Sequence, residues 1–240
     1  PGRGRVFTHA RRVHLGDASP AGRLRFDALA RFLQDVSNED TRDSGLEALM
    51  SWVVRRTVVD VHRPAVFGEL LDLATWCSGT GGRWAERRVA IAGDQGARIE
   101  TATLWVHVDV DTLRPARLPE AFFALFGEAA DGRTVRARLQ LPGPTEAEGL
   151  VTRRWPLRFV DFDVLDHLNN AAYWVPVEEE LARRRDLRAP VRAIVEHVRE
   201  VERGAELAVA VVDHADSVSL WLQSESGTHA AATVTSNPRQ

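Results

Sequence analysis

The 240-residue chain contains no lysine, a single cysteine, a single methionine and a single tyrosine, and it has no long apolar run. All 31 basic residues are therefore arginines, and against 34 acidic residues they leave a formal net charge of −3. This balance gives no overall field for nucleic acid, so a general nucleic-acid-binding role is excluded. The lack of lysine beside abundant arginine and alanine indicates a GC-rich, bacterial coding sequence.

The single cysteine, Cys77, cannot form an internal disulfide or supply a cysteine-rich zinc site. No apolar run reaches the roughly 18 residues that span a bilayer, and the first residues lack the apolar stretch of a secretory signal. We therefore expect a cytoplasmic protein without a membrane partner. We also assign no metal site, because the histidines on the predicted strands stand alone.

Two stretches of the chain show the same order of predicted elements. Four β-runs are predicted over 51–62, 69–78, 83–91 and 97–108, and four more over 191–199, 205–212, 218–224 and 229–235. One amphipathic helix precedes each set: the first begins at Phe26, and the second runs from the asparagines at 169–170 toward Arg183. We expect Pro176 to kink the second helix near its start.

The two blocks align directly with each other. Residues 58–75, VVDVHRPAVFGELLDLAT, lie over residues 194–211, IVEHVREVERGAELAVAV, without a gap, so Pro64 falls opposite Glu200. A duplication explains this match. Each half is a strand, a helix and four strands, which predicts an α+β fold with a helix packed on an antiparallel sheet. We divide the chain into a first module at 1–118, a linker at 119–148 with a short helix in PEAFFALFG, and a second module at 149–240.

The most unusual stretch, RFVDFDVLDHLNNAAYW at 158–174, crowds three acids, a histidine and two asparagines into the turn before the second helix. Turns collect polar residues, so Asp161, Asp163 and Asp166 are also typical turn formers, and Asn169 or Asn170 a typical helix N-cap. The whole string nevertheless resembles the D-x-D-x-x-x-H-x-N-N-x-x-Y signature of hotdog-fold acyl thioesterases.

The first half indicates which branch of those enzymes the chain is similar to. Its segments WVVRRTVVDVHRPAVFGELLDLATWCSGTGGRWAERRVAI and TATLWVHVDVDTLRPARLPE resemble the N-terminal hotdog of the plant and bacterial acyl-acyl carrier protein (acyl-ACP) thioesterases. That resemblance implies two tandem hotdog modules fused as a pseudo-dimer, with the active site in the second and an acyl tunnel shaped by the first. It also implies an acyl-ACP substrate, a free fatty acid product and no cofactor.

Carried over residue by residue, the resemblance implies that Asp163, His167 and Glu200 are the catalytic residues. The family also places an asparagine between the Asp and the His, but this chain has a leucine there. We expect the missing donor to come from backbone N–H groups at the start of the second helix or from the neighbouring asparagines, Asn169 and Asn170.

Each of these residues has an expected role. We expect Glu200 to activate water, Asp163 to hold the His167 ring in one tautomer, and His167 to polarise the carbonyl. Direct attack by a carboxylate, through an anhydride, is an alternative to activated water. Trp52 and Leu165, the leucine in place of the family asparagine, are candidates to line the acyl tunnel.

Three functions stay open at this point. An acyl-ACP thioesterase is the first, and an acyl-CoA thioesterase is the second, since the signature is shared with those enzymes. The lost asparagine also allows a non-catalytic module that binds acyl thioesters.

The arginines at 183–185 are either a solvated helix end or a surface for an acidic carrier protein. A homodimer is left open as well.

Overall fold

A computed structural model describes residues 3–109, 111–144 and 149–236 of the chain. The first half holds β1 (Phe7–Arg12), α1 (Phe26–Asp43), β2 (Ser51–Arg63), β3 (Leu70–Thr80), β4 (Trp84–Gly93) and β5 (Arg98–Val108). After α2 (Glu120–Ala130), the second half holds β6 (Val151–Trp155), α3 (Val175–Arg183), β7 (Val191–His197), β8 (Leu207–Asp213), β9 (Ser217–Ser224) and β10 (Gly227–Ser236). The predicted α+β class and the order of strand, helix and four strands in each half are confirmed.

The start of the second helix differs from the prediction. Residues Ala172–Trp174 form a 3₁₀ turn, and α3 begins at Val175 with Pro176 in its first turn. A proline suits this place because the N–H that it lacks would have no intrahelical acceptor there. The expected kink inside a continuous helix is therefore wrong, and Pro176 instead helps to begin a separate α-helix.

The ten described strands form one antiparallel sheet in the order β1-β3-β4-β5-β2-β7-β10-β9-β8-β6. The halves join edge to edge through β2 and β7, whose register pairs Val58 with Ile194. These two residues also lie opposite each other in the ungapped sequence alignment of the halves. Because equivalent residues pair with each other, a pseudo-twofold axis passes between them. We call residues related by this axis counterparts.

Two ion pairs flank the pseudo-twofold axis and are related by it. Arg192 donates to the two carboxylate oxygens of Asp60 at 2.7 and 2.8 Å. Its counterpart Arg56 donates to Glu196, the counterpart of Asp60, at 3.5 Å. The first pair is partly exposed, whereas both members of the second are buried. The same contact therefore exists in two different environments.

The linker causes this difference. Its segment at 136–144 crosses the outer face of the sheet, where Trp221 donates its indole N–H to the Pro142 carbonyl at 2.9 Å. Glu196 accepts the backbone N–H groups of Gln140 and Leu141 at 2.8–3.0 Å and is 1% exposed. A buried carboxylate is costly unless hydrogen bonds satisfy it. The linker supplies those donors and so fixes itself to β7.

Helices α1 and α3 pack on the inner face of the sheet. The rings of Phe26 in α1 and Trp174 before α3 stack at 5.5 Å. The short helix α2 packs on β3, and its residues Phe122 and Phe126 join Cys77 in a smaller core of the first half. Across the described ranges, no helix combines the length and apolar character needed to cross a bilayer. The module boundaries at 118 and 148 stay a prediction.

The two related ion pairs provide a matched test of burial. Glu196→Ala leaves the Arg56 guanidinium and two backbone N–H groups without their acceptor, so we expect the free energy of unfolding to fall by about 3–5 kcal/mol. Asp60→Ala breaks the partly exposed counterpart, and we expect a loss of at most about 1 kcal/mol. Urea unfolding measures both losses. Equal losses would show that the linker contacts add nothing.

Candidate active site

The signature turn, residues 161–169, follows a 3₁₀ turn at Phe159–Asp161. The Oδ1 atom of Asp163 accepts the backbone N–H groups of Leu165 at 2.9 Å and His167 at 3.4 Å. The N–H of Asp163 donates to the His167 carbonyl at 2.9 Å, and Asp166 between them has a left-handed φ of 63°. The Asp163 carboxylate therefore fixes the shape of the turn, as aspartate side chains do in Asx-turns.

The structure brings Glu200 to this turn. Leu168 donates its backbone N–H to the Val201 carbonyl at 3.0 Å, and His167 forms a β-bridge with Glu202. As a result, His167 Nε2 lies 3.7 Å from Glu200 Oε2. The side chains of His167 and Glu200 are 33% and 55% exposed, so both are open to a ligand that approaches from solvent.

The predicted contact between Asp163 and the His167 ring is missing. Among the described residues no hydrogen bond joins the two side chains, and Asp163 instead accepts the backbone N–H of His167. Asp163 therefore positions His167 through its backbone N–H. The expected control of the imidazole tautomer would need a contact between the two side chains, which the described residues do not show. Within the same ranges, no group of three or more His, Cys, Asp or Glu side chains is arranged to hold a metal ion.

The two asparagines have different partners. Asn169 accepts the backbone N–H of Ala171 at 2.9 Å through its side-chain oxygen and so caps the turn. Asn170 makes no hydrogen bond with other described residues through its backbone N–H. Leu165 lies at the tip of the same turn and is 70% exposed. The fold therefore does not enclose Leu165, and a tunnel wall at this position is not formed within the chain.

Two side chains that the sequence analysis left outside the site lie beside it. The buried rings of Tyr173 and His197 contact each other edge to face at 4.6 Å. Burial, together with the carboxylates of Glu200 and Asp163, raises the pKa of the Tyr173 phenol. Burial, together with the nearby Arg55, lowers the pKa of His197 to about 4. Tyr173 belongs to the signature and could have been selected from it, whereas His197 alternates with apolar residues like an ordinary strand histidine.

The first half contains a turn with the same backbone hydrogen bonds, at residues 17–25, which we call the counterpart turn. Ser19 donates its N–H to the Arg23 carbonyl at 2.8 Å, just as Asp163 donates to His167. These matching bonds align residues 17–37 with 161–181. The counterparts of Asp163, His167 and Glu200 are then Ser19, Arg23 and Pro64. The backbone of the turn is repeated, but the carboxylates of Asp163 and Glu200 and the imidazole of His167 have no equivalent at these three positions of the first half.

A carboxylate sits against the counterpart turn. Glu178 of α3 accepts the backbone N–H of Phe26 at 2.5 Å and two guanidinium N–H groups of Arg23 at 2.7 and 2.9 Å. The counterpart of Phe26 is Asn170, and the counterpart of Glu178 is the neutral Gln34. The first half therefore shows this N–H bound to a negative oxygen, while the second half leaves the same donor open.

A cavity of about 320 Å³ lies between the end of α1, α2 and the sheet of the first half. Trp52, Met50, Phe122 and Cys77 provide apolar lining, and the last turns of α1 add polar groups. Burial raises the pKa of the Cys77 thiol, so it stays protonated and a poor nucleophile. Trp52 thus lies where a tunnel residue is expected, and its contact with an acyl chain stays a prediction.

A second cavity, of about 200 Å³, lies against the counterpart turn. Residues of both halves line it, among them Arg23 and Pro64 of the first half and Leu181 and Arg188 of the second. Their counterparts, in the same order, are His167, Glu200, Ser37 and Trp52. Ser37 and Trp52 both line the larger cavity. Two of the four counterparts therefore line the larger cavity, whereas His167 and Glu200 lie outside its lining.

The buried His197 predicts a pH dependence of stability. Its folded pKa of about 4 lies below the unfolded value of about 6.5, so between these values the unfolded chain binds more protons. We expect the free energy of unfolding to fall as pH is lowered through this window, by up to about 3 kcal/mol. His197→Val introduces the residue found at the counterpart position, Val61, and should remove this part of the slope. His214→Ala replaces an exposed histidine and should leave the slope unchanged. Urea unfolding between about pH 4 and 7 measures the slope, and an unchanged slope in His197→Val would contradict the assignment.

Comparison with known proteins covers both halves. The model of the acyl-ACP thioesterase N-terminal domain matches residues 4–126, and that of the C-terminal domain matches residues 146–237. The uncharacterized protein Rv2001 of Mycobacterium tuberculosis is 35% identical over 92% of this chain and 88% of its own length. The chloroplastic acyl-[acyl-carrier-protein] hydrolase FATB3 of Cuphea viscosissima is 26% identical over 51% of this chain and 31% of its own length.

Solved structures show the same fold. The 12:0-ACP thioesterase from Umbellularia californica has a TM-score of 0.76 at 19% identity, with 99% of each chain covered. An acyl-ACP thioesterase from Bacteroides thetaiotaomicron has a TM-score of 0.76 at 17% identity, with 96% of this chain and 97% of that one covered. These likenesses confirm the double hotdog architecture expected from the sequence. Since the two family models match nearly the whole chain, it belongs to the acyl-ACP thioesterase family.

Proposed function

We propose that the chain hydrolyses the thioester bond of an acyl-ACP and releases a free fatty acid. The observation that carries this proposal is the pair of His167 and Glu200, 3.7 Å apart on the turn that Asp163 orders. A carboxylate and an imidazole are the groups that most often move protons in hydrolysis near neutral pH. The thioester as the bond that is cleaved follows from family membership. A cytoplasmic location and a homodimer stay predictions.

The proposed reaction uses water as the nucleophile. Glu200 accepts a proton from water as the water oxygen attacks the thioester carbonyl carbon. The carbonyl oxygen becomes an oxyanion, which the N–H of Asn170 stabilises. Support comes from the first half, where the corresponding N–H of Phe26 binds a carboxylate oxygen of Glu178 at 2.5 Å. The C–S bond then breaks, and the proton on Glu200 passes through His167 to the leaving thiolate.

We assign the acyl chain to the cavity of about 320 Å³. Trp52 and Phe122 offer ring faces to a methylene chain, and their rings pack against each other at 5.8 Å. The counterpart relation between Trp52 and Arg188 supports this assignment, because Arg188 shares a cavity with the counterpart turn. The backbone donor at Asn170 makes a side-chain donor at Leu165 unnecessary.

Substitution of the three proposed catalytic residues tests the chemistry. Glu200→Gln and Asp163→Asn keep the size of the side chain but remove its charge, and His167→Ala removes the imidazole. We expect each to lower thiol release by about 10² to 10⁴-fold. The exposed neighbour Glu202→Gln is the matched control and should keep full activity. Near wild-type turnover in a folded Glu200→Gln would remove that residue from the mechanism.

Two of the three arginines at the basic helix end are already paired with carboxylates. Arg183 donates to Glu180 at 2.5 Å. Arg184 donates to Asp186 at 2.6 Å and to Asp213 at 2.8 Å. These arginines also lie at the opposite end of α3 from the signature turn, and the nine residues of α3 alone span about 13 Å at the rise of an α-helix. A carrier-binding surface is therefore better sought around the turn itself.

Exposed apolar side chains surround the signature turn. Phe159 is 80%, Val160 76% and Leu165 70% exposed, and Val164 is fully exposed. The counterparts of these four residues are Leu15, Gly16, Pro20 and Ala21. The first half therefore builds the same backbone with a single large apolar side chain, so the fold itself does not require the other three. Exposed apolar patches of this kind mark contact surfaces.

Arg203 lies within this patch. Its guanidinium lies over the rings of Phe159 and Phe162, at 5.4 and 5.7 Å from their centres, and pairs with Asp166. Apolar side chains around an arginine are typical of surfaces that bind another folded protein. CoA, by contrast, offers phosphates and few apolar groups. We call Phe159, Val160, Val164, Leu165 and Arg203 the carrier surface and assign it to an acidic acyl carrier protein.

A double substitution separates carrier binding from chemistry. In Phe159→Ser with Val164→Ser we expect kcat/KM for acyl-ACP to fall at least about tenfold, because two apolar anchors are lost. Hydrolysis of the same acyl group on N-acetylcysteamine should stay within about twofold. Leu15→Ser in the first half is the matched control and should change neither.

Other outcomes favour the alternatives. If the double variant leaves acyl-ACP hydrolysis intact and acyl-CoA is used equally well or better, the enzyme is an acyl-CoA thioesterase. If the wild-type chain binds acyl thioesters but releases no thiol from either carrier, it is a non-catalytic binding module.

A further inference from the structure

The cavity of about 200 Å³ beside the counterpart turn has no part in the proposed reaction. Both halves contribute apolar side chains to it, among them Phe26, Leu29, Val61, Ile99, Leu181 and Leu187. The counterparts of Asp163, His167 and Glu200, which are Ser19, Arg23 and Pro64, provide no carboxylate and no imidazole. The cavity therefore has the environment of a binding site without the groups for hydrolysis.

The cavity lies where two side chains are smaller than their counterparts. Leu29 corresponds to Tyr173, and Val61 corresponds to His197. In the second half these two larger rings pack against each other at 4.6 Å. In the first half the leucine and the valine leave the equivalent space open. Because the walls of an empty apolar cavity lack contacts on one side, a ligand of matching shape gains those contacts.

Two arginines are the only charged residues among the described residues that line this cavity. Arg23 is already paired with Glu178 at 2.7 Å. Arg188 is exposed and, within the part of the chain that the structure describes, makes no ion pair, although the hydrogen bond from Arg184 and the charge of Arg188 both lower the pKa of the nearby Asp186. An apolar cavity with an available guanidinium at its mouth matches a ligand that has an alkyl chain and a terminal carboxylate.

We propose that the first half holds a second, non-catalytic site that binds a free fatty acid, with its carboxylate on Arg188 and its alkyl chain in this cavity. An apolar cavity of about 150 Å³ accommodates benzene, so about 200 Å³ suits a chain of about eight carbons. The site goes beyond the proposed function, because binding here requires no hydrolysis. Where hydrolysis occurs, the ligand belongs to the same chemical class as the product.

Calorimetric titration of the full chain with octanoate tests the site. We expect affinity to rise about fourfold for each methylene from butanoate to octanoate, as for progressive burial of an alkyl chain. Arg188→Glu should weaken octanoate binding at this site at least about tenfold, because a carboxylate replaces the guanidinium. Arg185→Glu is the matched control, since Arg185 is exposed on the same segment but does not line the cavity.

A second variant tests the cavity itself. Val61→Phe should fill the space and remove one octanoate from the measured stoichiometry, while thiol release stays within about twofold. Octanoate bound in the larger cavity alone would be insensitive to both Arg188→Glu and Val61→Phe, and that result would overturn the proposal. Absence of octanoate binding to the folded wild-type chain would overturn it as well. Thiol release is measured separately, so failure of this site and failure of the proposed hydrolysis are distinguishable.

Discussion

Backbone hydrogen bonds between β2 and β7 join the two halves into one sheet, and their register sets every other relation between the halves. Val58 pairs with its own counterpart Ile194, so α1 and α3 lie beside each other in related positions. This places Glu178 of α3 on the counterpart turn. A slip of one residue would exchange the two faces of a strand and break both flanking ion pairs.

Comparison of the two turns distinguishes the contribution of the backbone to the active site from that of the side chains. Both have the same backbone hydrogen bonds, and in the signature turn the Asp163 carboxylate adds bonds to the N–H groups of Leu165 and His167 that have no equivalent among the described residues of the first half. The chemical difference comes from His167 and Glu200, which replace an arginine and a proline. The same substitution of side chains on a repeated backbone explains why the signature turn carries reactive groups and the counterpart turn carries Arg23.

Local patterns predicted much of this molecule. Strand alternation, glycine and proline breaks and the direct alignment of the halves predicted the elements and the duplication. The signature selected Asp163 and His167, and the family resemblance added Glu200, which the structure brings to the same turn. The contacts that were missed are long-range. Sequence does not show that Arg184 meets Asp213, or that Tyr173 packs on His197, because both depend on strand register.

The linker connects the larger cavity with the end of β7, the strand that precedes Glu200. At one end α2 places Phe122 in the wall of the larger cavity, and at the other end Gln140 and Leu141 bind Glu196 on β7. Glu200 follows Glu196 by four residues along the same segment. A buried ion pair adds little net stability when compared with an apolar substitute, but removal of one partner is costly. The contacts of Glu196 therefore matter most for position: they hold the end of β7, and with it Glu200, at a fixed place relative to the cavity that α2 helps to enclose.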